Sequence, residues 1–358
     1  MANDAIFKLL ERNEDIFKDR EILLTGDLLD NALLTFIKYA KKAVVVADNY
    51  VTFKAMAAMV GKSVSDECEQ CIEYKHLKLI FGTDEYAKKQ FDSVDTLVVV
   101  LSKNKNQTVR ILNSYKEKLK AGSFIYTAGS NDGGAKSADT LLKVAGPVRK
   151  VDLARKCTLF KAIYENDFST YKKPENINVE VGSFEAQLKQ DPNVFSTGKL
   201  DNGTALLLES MVDVIPQGNA LDLACGCGVV GIFLSKLGFK NVTSTDVSAC
   251  ALSLTKENAK LNNIDDLYTV PSDMLSNLKE YSLIAVNPPF HIGLDTSTAP
   301  TVSMILDAPK HLKEGGAMYL VANAHLGYEK IINDAFGNVQ IMKRTPSFIV
   351  YKALKNTK

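Results

Sequence analysis

The stretch "LDLACGCGVVG", residues 221–231, contains an apolar run, a turn of small residues and the start of an apolar helix. Gly226 and Gly228 permit sharp backbone angles and the close approach of a ligand. The first turn of the following helix presents N–H groups that have no partner within the helix. Asp246 ends the next strand-like run, 20 residues after Gly226, where a carboxylate can accept both hydroxyls of a ribose. These residues predict a nucleotide-binding α/β unit, although tight packing of a helix on a strand would also use such glycines.

Apolar strand-like runs alternate with amphipathic helical stretches on both sides of this segment. The alternation predicts an α/β fold with a mainly parallel, Rossmann-like sheet. The last two strand-like runs, "NVQIMKR" (338–344) and "SFIVYKAL" (347–354), are only a few residues apart. Because a parallel crossover needs a dozen residues or more, these two runs are predicted to form an antiparallel pair at the sheet edge.

The two halves of the chain resemble each other, and an internal repeat of this kind indicates a duplicated architecture. Four pairs of segments occur in the same order in both halves, beginning with "TGDLLDNALLTFI" and "TGKLDNGTALLLESMV". The pairs are 25–37 with 197–212, 43–48 with 220–225, 95–104 with 281–290, and 119–130 with 312–323. We therefore predict two similarly folded domains, at 1–164 and 191–358, joined by a linker at 165–190.

Composition limits the classes of protein that the chain can belong to. Its 358 residues include 43 Lys and Arg against 42 Asp and Glu, so any nucleic-acid surface must be a local patch. No apolar run is long enough to span a bilayer, and the acidic, polar N-terminus does not resemble a signal peptide. A cytoplasmic protein that binds no membrane is expected. The six cysteines are irregularly spaced, which predicts free thiols, and "CEQC" (68–71) lacks the second ligand pair of a zinc site.

The segment 221–231 resembles the S-adenosylmethionine (SAM) site of class I methyltransferases. Ala224 stands where a dinucleotide fingerprint has its first glycine, and the D-x-A/G-C-G-x-G pattern departs from GxGxxG. The resemblance implies a SAM cofactor, no metal, and antiparallel final strands. It also implies contacts to the methionine end, the ribose and the adenine amine. The implied cofactor-binding residues are Asp222, Ala224, Gly226, Gly228, Asp246, Asp273 and Asn287.

In the same family, a tetrapeptide such as "NPPF" (287–290) after the fourth strand marks methyl transfer to a planar nitrogen. The lone pair of such a nitrogen is delocalised, so it is a poor nucleophile. The side-chain oxygen of Asn287 and the carbonyl of Pro288 would accept its two hydrogens and direct the lone pair to the methyl group. The ring of Phe290 would stack on the base, a contact of about 1–3 kcal/mol. A Pro-Pro turn that ends a buried strand is the simpler explanation of the same residues.

Further motifs resemble the ribosomal RNA guanine-N2 methyltransferases that act on the small subunit. They extend over nearly the whole chain: 23–31, 133–139, 150–160, 195–208, 287–291 and 321–329. The resemblance implies N2-methylguanine formation at one site in 16S rRNA, with Asn287, Pro288 and Phe290 as catalytic residues. The substrate-binding residues that it implies are Phe195, Lys199, Phe290 and His291. Two positions depart from the family pattern: Ala224 replaces a glycine, which alanine's small size makes a mild change, and His325 stands where an aromatic residue is common.

The first half lacks these chemical motifs. "AVVVAD" (43–48) is followed by no glycine turn, and "DTLVVV" (95–100) is followed by "LSKNKNQ" in place of NPPF. A degenerate, non-catalytic methyltransferase-like domain is therefore predicted, which positions RNA or supports the second domain. A strip of basic residues in this half would contact phosphates, or would simply form a solvated face. The strip comprises Arg149, Lys150, Arg155, Lys156 and Lys161.

Other functions remain open from the sequence alone. A methyltransferase for 23S rRNA guanine N2 would share the duplicated architecture, and the NPPF motif also occurs in enzymes for protein glutamine and DNA adenine. A non-enzymatic RNA-binding adaptor is a fourth reading, which the intact set of site residues argues against. The resemblance implies 16S rRNA or the small ribosomal subunit as the partner, and a monomeric enzyme is expected.

Overall fold

The computed structural model describes residues 2–28, 37–165, 171–195, 197–289 and 298–356. The chain divides into two compact units, 1–172 and 173–358. In these described ranges, no helix is long and apolar enough to cross a membrane.

The first unit contains eight strands and five helices within the described residues. Its strands are β1 Glu21–Gly26, β2 Lys42–Ala47, β3 Gln70–Tyr74, β4 Leu77–Phe81, β5 Val94–Val100, β6 Leu119–Ser130, β7 Val148–Ala154 and β8 Cys157–Ile163. Its helices are α1 Ala2–Arg12, α2 Tyr50–Met59, α3 Asp84–Lys88, α4 Lys105–Tyr115 and α5 Lys136–Leu142. The strands form one sheet in the order β3-β4-β2-β1-β5-β6-β8-β7.

The second unit contains nine strands and five helices within the described residues. Its strands are β9 Ile177–Val181, β10 Phe184–Leu188, β11 Ala220–Leu223, β12 Val242–Asp246, β13 Leu267–Pro271, β14 Tyr281–Val286, β15 Leu312–Asn323, β16 Gln340–Arg344 and β17 Phe348–Leu354. Its helices are α6 Asn202–Glu209, α7 Val229–Leu237, α8 Ala249–Leu261, α9 Ala299–Asp307 and α10 Glu329–Phe336. The main sheet has the order β13-β12-β11-β14-β15-β17-β16, and β9 and β10 form a separate hairpin.

The main sheet of the second unit is parallel from β13 to β15. The last two strands, β16 and β17, pair antiparallel, as the short connection between them predicted. Apolar side chains cover both faces of the sheet: Leu283 and Ala285 belong to one buried cluster, and Ile284 and Val286 belong to the other. A sheet that is buried on both faces requires continuous apolar strands, and β14 has such a sequence. The predicted α/β fold with two Rossmann-like domains is confirmed.

The strand order corrects one part of the predicted repeat. In the first unit β1 lies between β2 and β5, just as β11 lies between β12 and β14 in the second. The run 43–48 is therefore equivalent to β12 and not, as the repeat predicted, to β11. The strand equivalent to β11 is β1, which the predicted repeat did not match to it. The similar "TGDLLDN" and "TGKLDNG" segments lie at different places, since the first begins at the end of β1 and the second precedes β11.

The other two segment pairs do correspond. β5 matches β14, and β6 matches β15. Strands β6 and β15 are both 12 residues long and have the same succession of buried and exposed residues. A register shift also interrupts both pairings near their first residues. This agreement allows residues of the two units to be matched one by one through their strand pairing.

The hairpin β9–β10 lies within the range 165–190 that the sequence analysis assigns to a linker. Asn258 of α8 and Asn262, the residue that caps its C-terminus, attach the hairpin to the rest of the second unit. The amide of Asn258 accepts from the N–H of Lys189 at 2.7 Å and donates to its carbonyl at 3.2 Å. Asn262 makes the same pair of bonds with Gln187. The two amides thus pair with alternate residues as a neighbouring strand would, and residues 177–188 belong to the folded second unit.

We predict that Asn258→Ala lowers the free energy of unfolding by about 2–3 kcal/mol, because it leaves buried backbone groups without partners. Asn258 is fully buried and also donates to the carbonyl of Cys227 at 2.9 Å. Asn262→Ala is the matched control, and its loss should be about 1 kcal/mol because Asn262 is only half-buried. Urea denaturation of both variants measures the difference, and equal losses would contradict the assignment.

Candidate functional site

The candidate site lies where the carboxyl ends of β11, β12 and β14 meet. β11 is the first strand of the unit's main sheet, and the chain moves outward from it to β12 and β13 and then returns to β14 on its other side. Such a reversal opens a crevice beyond the strand ends, which is where open α/β sheets bind ligands.

The loop after β11 has an unusual backbone at three positions. The φ angles of Ala224, Gly226 and Gly228 are +60°, +54° and +82°. A Cβ atom at Gly228 would stand 2.6 Å from the side chain of Thr255, so glycine is required there on two grounds. The left-handed conformation costs a residue such as alanine about 1–2 kcal/mol. The expectation that alanine is a mild replacement at position 224 is therefore wrong, because a small side chain does not remove the cost of a left-handed backbone. The matching residue of the first unit is Gly26, which also has a positive φ.

The carboxylate of Asp222 lies beneath this loop and is 2% exposed. One of its oxygens accepts a hydrogen bond from the N–H of Gly231 at 2.8 Å and from the hydroxyl of Ser244 at 3.2 Å. Burial raises the pKa of Asp222 to about 7, and these two hydrogen bonds oppose the shift. The side chain therefore joins β11 to β12 and to the first turn of α7.

Asp246 closes the loop on its other side. Its Oδ2 accepts from the N–H of Gly226 at 3.0 Å, and its Oδ1 accepts from the N–H of Ser248 at 3.0 Å. The hydroxyl of Thr255 donates to the carbonyl of Gly226 at 3.2 Å. These bonds hold the carboxylate of Asp246 at the end of β12, beside the loop.

Two cysteines of the loop have thiols with strongly shifted acidity. Burial raises the pKa of Cys225 well above its usual value, and the nearby carboxylates of Asp246 and Asp222 raise it further. Burial also raises the pKa of the Cys227 thiol to about 11. Both side chains are therefore neutral at physiological pH.

Within the described ranges, four further residues that the sequence analysis singled out in the second unit are exposed. Asp273 is exposed and follows β13, beside Ser272, whose N–H donates to the carbonyl of Asp246 at 3.1 Å. Phe195 is 63% exposed, and Lys199 is also exposed. Phe290 and His291 lie outside the described residues. His325 is exposed in a short 3₁₀ turn, Ala324–Leu326, after β15.

Asn287 follows β14, and its amide is held in one orientation. The amide nitrogen donates to the hydroxyl of Thr204 at 2.8 Å and to the Oδ2 of Asp201 at 3.1 Å. Because a carboxylate only accepts hydrogen bonds, the end of the amide that faces Asp201 must be the NH₂ group. Asp201 is fixed in turn as the N-cap of α6, accepting from the N–H of Thr204 at 2.8 Å.

This orientation leaves the Oδ1 of Asn287 buried and without a hydrogen-bond partner among the described residues. A buried polar atom without a partner costs about 1–3 kcal/mol, so such atoms need an explanation. Pro288, which follows, is also buried. An acceptor that is fixed in direction, next to the loop after β11, is ready to receive an N–H group of a ligand.

The matching positions of the first unit have apolar residues in place of three of these polar groups. Strand pairing places Leu24 where Asp222 lies, Ala47 where Asp246 lies, and Val100 where Asn287 lies. Within its described residues, the first unit therefore has the scaffold of the site without these three side chains. The predicted absence of chemical motifs from this half agrees with these replacements, although the sequence comparison had inspected the wrong strand for the glycine turn.

Four residues of the site were missed by the sequence analysis: Asp201, Thr204, Gly231 and Thr255. Asp201 and Thr204 lie within a quoted motif, "FSTGKLDNGTALLL", and aspartate is a favoured helix N-cap residue. Their hydrogen bonds to Asn287 span more than 80 residues of sequence, so no local pattern reveals them.

Comparison with protein families matches both units. The family described as "Methyltransferase small domain" matches residues 185–352, and "Methyltransferase small domain N-terminal" matches residues 8–177.

Curated relatives extend along the whole chain. The Ribosomal RNA small subunit methyltransferase C of Proteus mirabilis is 33% identical over 359 residues, covering 97% of this chain and 97% of that protein. The protein of the same name from Photorhabdus laumondii is also 33% identical, with 97% of each chain covered. Among solved structures, the T. thermophilus 16S rRNA N2 G1207 methyltransferase in complex with AdoMet and guanosine has a TM-score of 0.77. It is 20% identical and covers 98% of this chain and 92% of its own, which supports the fold.

The raised pKa of Asp222 predicts a pH-dependent stability. The unfolded chain has an Asp pKa near 3.9, and the folded value is about 7. Between these values the folded protein binds the extra proton, so this group's contribution to the free energy of unfolding falls as pH rises from about 4 to about 7. The maximal slope is about 1.4 kcal/mol per pH unit. Denaturant titrations at several pH values should show this fall in the wild type relative to Asp222→Asn, and a difference that does not change with pH would refute it.

Proposed function

The chain belongs to the ribosomal RNA small subunit methyltransferase C family, and we propose that it transfers a methyl group from SAM to guanine N2 at one site in 16S rRNA. One observation carries this proposal: the buried Oδ1 of Asn287, fixed in direction and without a partner in the described chain. An amine that is to be methylated requires such an acceptor. The names of the relatives supply the nucleic acid and the base.

The residues around the loop after β11 fit SAM. Left-handed angles at Gly226 and Gly228 bring the backbone close to a ligand, and Asp246 offers acceptors at the end of β12. We assign Asp246 to the ribose hydroxyls and Asp273 to the adenine amine. The buried carboxylate of Asp222 would face the positively charged methionine end. When bound, the cofactor supplies an electrophilic methyl group on a sulfonium.

Asn287 and Pro288 bind the amine nitrogen that receives the methyl group. The Oδ1 of Asn287 and the carbonyl of Pro288 accept the two amine hydrogens, which turns the lone pair out of the plane of the base. This requirement for two hydrogens excludes ribose hydroxyls and ring nitrogens as targets. The base must leave its stack to reach a recessed acceptor, because an amine within a helix is out of reach.

We assign base and backbone contacts to the residues at the rim. The exposed ring of Phe195 is available for stacking on a nucleobase, and the charge of Lys199 suits a phosphate. Phe290 and His291 directly follow the tetrapeptide's prolines, and we retain them as substrate contacts.

Asp201 and Thr204 position Asn287 in this scheme. The Oδ2 atom of Asp201 both caps α6 and accepts from the amide of Asn287, so Asp201→Ala removes the acceptor that fixes this amide, whereas Asp201→Asn can keep an oxygen at the same place. We expect the kcat of Asp201→Ala to fall about 10- to 100-fold, corresponding to the loss of one charged hydrogen bond, with the Kd for SAM unchanged, and the kcat of Asp201→Asn to fall less. Thr204→Val should act in the same direction as Asp201→Ala, whereas Thr204→Ser should retain nearly full activity. Steady-state kinetics and calorimetry separate the effect on kcat from the effect on SAM binding; a wild-type kcat for Asp201→Ala would exclude the positioning role.

The methylation itself is tested with methyl-labelled SAM. The purified protein is incubated with assembled small subunits, naked 16S rRNA and naked 23S rRNA, and the labelled nucleosides are identified by mass spectrometry. We expect N2-methylguanosine in 16S rRNA, and none with Asn287→Ala, which should still bind SAM. Label in 23S rRNA, in adenine or in protein would replace this proposal by one of the other acceptors.

A further inference from the structure

Three cations of the first unit gather around two aromatic rings; we call this set the Phe124 cluster. The ammonium of Lys161 lies 3.3 Å from the centre of the Phe124 ring and 5.5 Å from that of Tyr126. The guanidinium of Arg20 lies 4.6 Å from the same Phe124 ring. Arg149 on β7 lies directly opposite Lys161 on the neighbouring antiparallel strand β8. Contacts of this kind orient cations over an aromatic face.

The structure separates this cluster from the other basic residues that the sequence placed in one strip. Lys150 follows Arg149 on β7, so its side chain points to the opposite face of the sheet, where Phe160 is its neighbour. Arg155 and Lys156 form the turn of the β7–β8 hairpin, about 20 Å further along the strands. The predicted continuous strip is therefore wrong, and two of its five members remain together.

The positive charge of the cluster is not neutralised by the described protein. No carboxylate in the described ranges forms an ion pair with Arg20, Arg149 or Lys161, whereas Lys41 pairs with Glu21 at 2.7 Å. The pKa of Lys161 is lowered by burial and then by the charges of Arg149 and Arg20. Three cations in one place repel each other, and an anion would relieve this repulsion.

The second unit contains an internal reference for this site. Lys352 pairs with Tyr319 and lies 5.5 Å from its ring, at the positions that match Lys161 and Tyr126. The lysine–tyrosine pair is therefore part of the shared scaffold. The other members are absent there: Gly218, Ala317 and Gln340 stand where the first unit has Arg20, Phe124 and Arg149.

Packing does not account for the added residues. At the equivalent place in the second unit the sheet is complete and borders an open cavity of about 600 Å³, lined in part by Gly218, Ala317 and Tyr319. The fold thus forms without a ring and two arginines at these positions. In the first unit the same place holds an uncompensated charge of about three, at the amino ends of the parallel strands and away from the lost acceptor positions.

We propose that Arg20, Arg149 and Lys161 form a binding site for the phosphodiester groups of RNA. The inference rests on the proposed activity on ribosomal RNA, and it gives the first unit a function of its own. Arginine presents a planar fork of donors that matches phosphate oxygens, and Phe124 holds the neighbouring cations in place. The site reads no base, so it contributes affinity and orientation rather than sequence choice.

The test uses the full-length protein and three single substitutions, Arg20→Gln, Arg149→Gln and Lys161→Gln. Each should weaken binding to 16S rRNA about three- to tenfold, and should reduce the slope of log K against log salt concentration by about 1. The KM for RNA should rise in the same proportion, while kcat at saturating RNA and the Kd for SAM stay unchanged. Lys150→Gln removes an equal charge from the opposite face of the same strand, and Lys352→Gln removes the matching lysine of the second unit. Both controls should bind RNA within about twofold of the wild type.

Thermal unfolding distinguishes this site from a structural role. Removing one of three repelling cations should leave the melting temperature unchanged or raise it, whereas a cation needed for packing would lower it. A lower melting temperature with unchanged RNA affinity would overturn the proposal, as would an unchanged salt slope in all three variants. Inorganic phosphate identifies the source of the anion: if millimolar phosphate stabilises the wild type but RNA affinity is the same in every variant, the site binds a free anion and the RNA assignment fails.

The outcome is separable from that of the proposed activity. RNA affinity is measured without SAM, so the three substitutions can weaken it whether or not methylation of 16S rRNA is observed. Methylation with normal RNA affinity in the variants would retain the enzyme and reject this site.

Discussion

The buried carboxylate of Asp222 determines the shape of the site. It holds Ser244 of β12 and the first turn of α7 against β11, and the intervening loop closes over it with left-handed angles. Placing a charge on a side chain that is only 2% exposed costs free energy, and this cost raises the pKa of Asp222 to about 7. The first unit has Leu24 at this place, and there the cost and the site are both absent. The contacts among β11, β12 and α7 at the base of the loop depend on this one carboxylate.

Much of the fold and part of the site could be predicted from the sequence, for identifiable physical reasons. The alternation of strands and helices, the final antiparallel pair and the loop around Gly226 are local patterns, and the structure agrees with them. The repeat alignment failed because a short similarity, "TGDLLDN" to "TGKLDNG", outweighed the strand order, which depends on tertiary pairing. The orientation of Asn287 was beyond reach, because Asp201 fixes it across 86 residues of sequence. The cost at Ala224 depends on a φ angle that residue size does not reveal.

The two units have the same sheet architecture but different polar residues at the ends of their strands. β6 and β15 keep the same length, the same burial pattern and a register shift at the same place. Around these strands the first unit has leucine, alanine and valine where the second has two carboxylates and an amide, and it has arginines at the opposite end of the sheet. The same fold thus carries different polar residues in its two copies, and the site does not follow from the fold alone.

The two cysteines of the loop have a consequence for chemical durability. A sulfonium methyl group alkylates sulfur nucleophiles, and Cys225 and Cys227 lie within the segment that we assign to the sulfonium donor. The thiolate is the reactive form, and a thiol with a pKa of about 11 is ionised to roughly one part in ten thousand at pH 7. The raised pKa thus keeps both thiols in their less nucleophilic, protonated form beside an alkylating agent.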